Sequence, residues 1–220
     1  MDSDLGKRPD QANGDPRPAA VTFVTTEHFT LQGARSTTIS ESTGRASVFL
    51  GAVSGGLIAL GLVATATRTG VAFYAFGLIL LPTLAFMGLA TFDRVLQSGI
   101  EDYGYARRIA QLRGYYFDHA PELGGYLLSV PPAERLNILG LRAGRWQGFL
   151  TVAGMVAVIT AVLTGSAAGL LAAVVSGHSM AAALAVGVVA AAAALTGLMR
   201  YQHSAWVRAS PFPKEKAGSH

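Results

Sequence analysis

The chain has no cysteine, which excludes disulfides, thiolate metal sites and cysteine nucleophiles. Charge is scarce too: Asp, Glu, Lys and Arg make up 14% of the 220 residues, against roughly 25% in an average soluble domain. The places where charge is missing say more than the total. None of these four residue types occurs from Ala46 to Thr67, from Thr69 to Phe92, or from Trp146 to Met199. Stretches so long and so apolar are not the core helices of a water-soluble protein. A soluble enzyme, a disulfide scaffold and a wholly disordered chain are thereby excluded. A basic start followed by an early apolar run is also missing, so no cleavable signal peptide is expected.

What is present reads as an all-α integral membrane protein: a four-helix bundle of two transmembrane hairpins, with a cytoplasmic helical extension between spans two and three. The first span is Ser47 to Ala66 and the second Val71 to Phe92, each long enough at 1.5 Å per residue to cross about 30 Å of hydrocarbon. Only Thr67, Arg68, Thr69 and Gly70 separate them, which predicts a tight antiparallel hairpin. Pro82 lies mid-span and removes a backbone donor, and Thr83 beside it is placed to satisfy a freed carbonyl. The stretch from Gly148 to Met199 is too long for one crossing and divides at Ser176-Gly177-His178-Ser179, a turn signal, which predicts a third and a fourth span, with a single re-entrant hairpin as the alternative. The predicted organisation is a disordered tail over 1–24, a pre-span helix over 25–46, a first hairpin over 47–92, a helical loop over 93–147, a second hairpin over 148–200, and a tail over 201–220. Within the first tail, Val21–Thr25 has the composition of a short extended piece.

Orientation follows from the cations. Residues 1–46 hold Lys7, Arg8, Arg17, Arg35 and Arg45, the loop 93–147 holds seven Lys or Arg, and the chain after Met199 holds four. The two short turns hold Arg68 alone. Such asymmetry predicts that both termini and the central loop are cytoplasmic. It also accounts for the net charge of +4 without a nucleic-acid partner, since the basic residues are sparse and close to the membrane.

Inside lipid, helices associate by close approach of small residues. Gly51 and Gly55 on the first span, Gly165 and Gly169 on the third and Gly187 on the fourth stand at the spacing such packing uses. They serve either to hold the bundle together or to join copies into a homo-oligomer. No span contains a charged residue or histidine, the groups that ion-coupled carriers need in the membrane; the polar groups there are hydroxyls such as Thr83, Thr160, Thr164 and Thr196.

The central loop carries the most distinctive text. Tyr105, Ile109, Leu112 and Tyr116 share one face of a helix, with Arg107 opposite and Arg108 and Arg113 flanking the stripe. The helix is expected to continue from the second span to about Tyr116 and to end before Pro121. Its stripe has three candidate occupants: a neighbouring helix of the chain, anionic lipid headgroups, or a protein partner. A second helix is expected from Pro131 to about Leu139, and Trp146 and Trp206 are placed as interfacial anchors.

No catalytic motif, metal-ligand spacing, phosphate loop or cofactor motif is found. His119 with Asp118 and Glu122 reads as a solvated loop, and Asp93, Glu101 and Asp102 form no acid–base pair on helical geometry. The layout, with its YARRIAQLRGYY stretch (Tyr105–Tyr116) after the second span, resembles uncharacterised four-span membrane proteins of high-GC bacteria. A pair of spans flanked by cytoplasmic helices is architecturally similar to SLATT-type effector modules. These resemblances imply a bacterial plasma-membrane location and no activity. The expected function is that of a non-enzymatic scaffold, assembly or regulatory subunit, binding a membrane or cytoplasmic protein through its polar helices. The alternative is a pore built by oligomerisation.

Overall fold

A computed structural model describes the backbone of residues 16–68, 70–119 and 151–209, and side chains within 21–68, 70–114 and 151–209. Among these residues all regular structure is helical: α1 (Pro16–Thr67), α2 (Val71–His119), α3 (Val152–Val175) and α4 (Met180–Ala209). Each of the four contains a segment long and apolar enough to cross a membrane.

Helices α1 and α2 have 52 and 49 residues, or about 78 and 74 Å at 1.5 Å per residue. More than half of each therefore extends beyond the apolar segment as an unbroken polar continuation. In α1 this corrects two expectations. The stretch 16–24, assigned to a disordered tail, is helical, and so is Val21–Thr25, assigned as extended. Pro16 occupies the first residue of the helix, where its missing N–H costs no bond. The hydroxyls of Thr25, Thr26 and Thr30 donate to the carbonyls of Val21, Thr22 and Thr26 at 2.8, 2.9 and 3.0 Å. Side chains that compete with the backbone elsewhere are here absorbed one turn back along the same helix. Asp118 and His119, assigned to a solvated loop, are the last two residues of α2, while residues 1–15, Glu122, the Pro131–Leu139 helix and Trp146 lie outside the described residues.

α2 runs through Pro82 as one helix. The Thr83 hydroxyl donates at 2.7 Å to Ile79 O, its own carbonyl one turn back. It does not reach Leu78, whose carbonyl is the one that loses a donor to proline. The α1–α2 turn closes with Arg68 at φ 48° and Gly70 N–H donating to Thr67 O at 3.0 Å. The second turn falls at 176–179, with Gly177 at φ 66° and His178 at φ 70°. The two turns meet at the same end of the molecule, where Tyr74 and His178 stack edge to face at 5.0 Å. Thr151 caps α3 by accepting from Gly154 N–H at 3.0 Å, and Ser179 receives Ala182 N–H at the start of α4.

The helices pack in chain order as an open row. α2 lies between α1 and α3, and α3 between α2 and α4, while α1 and α4 share no substantial interface. A closed ring of four helices would require that last contact. The core sits where α1, α2 and α3 meet, near the polar end, around the fully buried Phe49 and Phe92 with Val53, Leu84, Val156 and Ala157. No side chain in the apolar segment of α4 is buried.

Glycine explains how α4 is held. A Cβ on Gly165 would lie 2.5 Å from Gly187 O and 2.6 Å from Ala191 Cβ, and one on Gly169 would lie 2.8 Å from Ala183 O. Gly187 sits across the same close approach, 3.1 Å from Gly165 O by the same construction. Gly51 and Gly55 have nothing within 4 Å and face away from the other helices; the close approaches of α1 and α2 use Gly56, against Leu84, and Gly88, against Phe49. Gly165→Leu should therefore force α3 from α4 against backbone that cannot yield, costing about 1–3 kcal/mol. Gly51→Ala should be neutral or stabilise by up to about 1 kcal/mol through helix propensity. Denaturation by SDS followed by circular dichroism checks both.

Candidate functional site: the polar arm of α1 and α2

The polar continuations of α1 and α2 stay paired along their length, in the register set at the turn. Arg35 and Asp102 stand almost equidistant from that turn and meet in a fork: Arg35 Nε donates to Asp102 Oδ1 at 2.6 Å and Nη2 to Oδ2 at 3.3 Å. Nearer the apolar segment, Glu41 lies 2.9 Å from Arg45 on its own helix and 3.7 Å from Arg94 across the pair. Farther out, Leu31 of α1 and Ile109 of α2 are both buried. Polar groups thus bracket a thin apolar seam, and the arm is one object with the apolar segments that carry it.

The residues singled out in the sequence separate on this frame. Ile109 is buried and Tyr105 and Leu112 are part-buried, so the stripe is turned into the chain's own helix pair. Tyr116 is in α2, but its side chain lies outside the described residues. Arg113 also faces α1, close enough to act on the ionisation of His28. Only Arg107 and Arg108 are exposed; among the described residues neither pairs with a carboxylate.

A second set of polar contacts ties α4 to the base of the arm. The Tyr201 hydroxyl donates to Asp93 Oδ1 at 3.0 Å, Gln97 Nε2 to Asp93 Oδ2 at 2.8 Å, and Arg94 Nη1 to Gln97 Oε1 at 3.2 Å. The hydrogen bond to Asp93, followed by that residue's charge, pushes the Tyr201 phenol above its ordinary value, because losing the proton would set two anions side by side. Gln202 is buried and its amide donates to Thr151 Oγ1, the cap of α3, at 3.4 Å. Trp206, expected as an interfacial anchor, packs edge-on to Tyr103 at 5.9 Å.

Sequence reasoning missed Arg35, Glu41, Tyr201 and Gln202. For the Arg35–Asp102 pair a signal existed: opposite charges at mirrored distances from a tight turn. For Tyr201 there was none, because its partner Asp93 lies on α2, on the far side of the long loop that leads to α3. Among the described residues no cluster of three His, Asp or Glu side chains could hold a metal ion. Two shallow grooves run along α4, one lined by Leu195, Thr196, Met199, Arg200 and His203 and the other by alanine and valine alone. Comparison with known proteins finds no matching family model, curated protein or solved structure.

Two outcomes test this arm. Arg35→Ala should loosen it by about 1 kcal/mol, the worth of a partly exposed ion pair. Arg35→Asp should do more harm, and the exchange R35D/D102R should recover most of the loss, read from hydrogen exchange along α1. The second concerns His28, whose imidazole is held below its ordinary value of 6.5, first by burial and then by the Arg113 charge. The folded arm favours the neutral ring, so this contribution is present above pH 6.5 and is lost as pH falls toward the depressed folded value. Exchange around His28 should quicken between about pH 7.5 and about pH 5.5 after correction for intrinsic rates, and His28→Gln should abolish the dependence.

Proposed function

We propose that the protein is a multi-pass membrane protein of the bacterial plasma membrane, with both termini cytoplasmic. In this reading it acts as a non-enzymatic scaffold, assembly or regulatory subunit whose working part is the α1–α2 arm. The observation that carries the reading is the arm's continuity with the spans: two helices cross from apolar to polar sequence without a break and stay in register on both sides. Such a rod projects about 40 Å from the bilayer on its α2 strand, by helical rise over residues 93–119. A rigid projection suits holding a partner at a set distance from the membrane. Orientation rests on the cations, nearly all of which lie on one side of the spans.

The hydroxyls of the apolar segments mark no path for a solute by themselves. Thr83, Thr160, Thr164 and Thr196 each donate to a carbonyl one turn back on their own helix, an ordinary arrangement for threonine in a helix.

The absence of cysteine makes a direct test simple. A single cysteine at Ser176 should react with an impermeant maleimide in intact cells, and one at Gln111 only after lysis; the reverse pattern removes the cytoplasmic arm. Purified protein in liposomes should leave them tight to small ions. Solute flux above that of empty liposomes would replace the scaffold by the pore.

A further inference from the structure

Charge is spent unevenly along the arm. In the half nearer the apolar segment, Arg35, Glu41, Arg45, Arg94 and Asp102 are joined in ion pairs. In the distal half, Arg107 and Arg108 are exposed and, among the described residues, meet no carboxylate. Glu101, the acid closest to them on the outer side of α2, stands two turns from Arg108, about 10 Å along the axis and beyond ion-pair reach. The exposed Glu27 of α1, the other acid at this height, forms an ion pair with neither arginine. The same half of the arm also exposes Phe23 and Phe29, at 75% and 68%, on the helix facing α2.

Resting on the scaffold reading, we infer that the distal arm is a docking surface for an acidic amphipathic segment of a water-soluble protein, with Arg107 and Arg108 as its charge-reading residues. The unbroken course of α2 argues against lipid as the occupant. Arg107 lies fourteen residues past Asp93, about 21 Å along the helix, and a typical tilt of about 20° shortens this little. After about 5–8 Å of headgroup layer, the backbone of Arg107 still stands about 12–15 Å from the headgroups of the chain's own membrane, beyond the screening length of about 8 Å. Nucleic acid binding draws its strength from many phosphate contacts, and two guanidinium groups supply few. Carboxylates on successive turns of a partner helix match two adjacent positive charges, and its apolar face matches exposed phenylalanines.

The test is site-specific photo-crosslinking of the full chain in native membranes, with a benzophenone amino acid at Gln111, exposed one turn beyond both arginines, and separately at Phe29. The expected adduct at 111 is a protein segment of net negative charge. Its yield should fall at least about ten-fold in R107E/R108E and be largely kept in R107K/R108K, as a charge-reading contact requires. An adduct indifferent to charge reversal overturns the inference. So does one with phospholipid, with nucleic acid or with residues 1–15 of the chain itself, and so does the lack of any adduct at 111. A protein adduct at 29 with none at 111 removes the arginine surface and leaves the scaffold standing; no protein adduct at either position removes both.

Discussion

The uninterrupted backbone of α1 and α2 is the constraint on which the rest depends. A helix that continues from apolar into polar sequence cannot change direction at the boundary without breaking its hydrogen-bond ladder. Packing fixed by Phe49, Phe92 and Leu84 among the apolar residues therefore sets where Arg35 meets Asp102 and where Leu31 and Ile109 lie. The ion pairs along the arm are too weak individually to impose that order, at about 0–1 kcal/mol each for exposed pairs. Their effect is on register: a slip of one helix past the other would separate Arg35 from Asp102 and Arg94 from Glu41 together.

The second hairpin is attached by different physics. α3 and α4 approach where glycine and alanine remove side-chain bulk, at Gly165, Gly169, Gly187 and Ala191, and dispersion between close backbones takes the place of interlocking large side chains. At the polar end the attachment changes to hydrogen bonds, with Tyr201 on Asp93 and Gln202 on Thr151. The base of the arm is thus gripped from both sides, by α1 through Glu41 and by α4 through Tyr201, while its distal half leaves Arg107 and Arg108 exposed. A stiff root and an accessible tip suit a part that holds something else in place.

Much of the layout was legible because hydropathy and turn chemistry are local. The charge-free windows marked the apolar segments of the four helices, and Ser176–Ser179 marked the second turn. The 3.6-residue period of Tyr105, Ile109 and Leu112 marked a face that is part-buried or buried. The helical start at Pro16 escaped because threonine and valine carry weak helix propensity, and the bonds that rescue them, Thr25 to Val21 among them, depend on the helix already existing. Gly51 and Gly55 make no close approach within the chain, because small-residue spacing shows that a helix can be approached closely, not which helix approaches it.

Sequence by itself determined four apolar helices, their two tight turns and the one-sided placement of the cations, since each follows from the composition of a contiguous window. Tertiary structure alone decided that the helices form an open row, that Gly56 and Gly88 make the close approaches instead of Gly51 and Gly55, and that Arg113 turns inward while Arg107 and Arg108 stay outside. Those outcomes depend on the rotation of each helix about its own axis against its neighbour. That rotation is set by the fit of side chains distant in the chain, which no window of sequence contains.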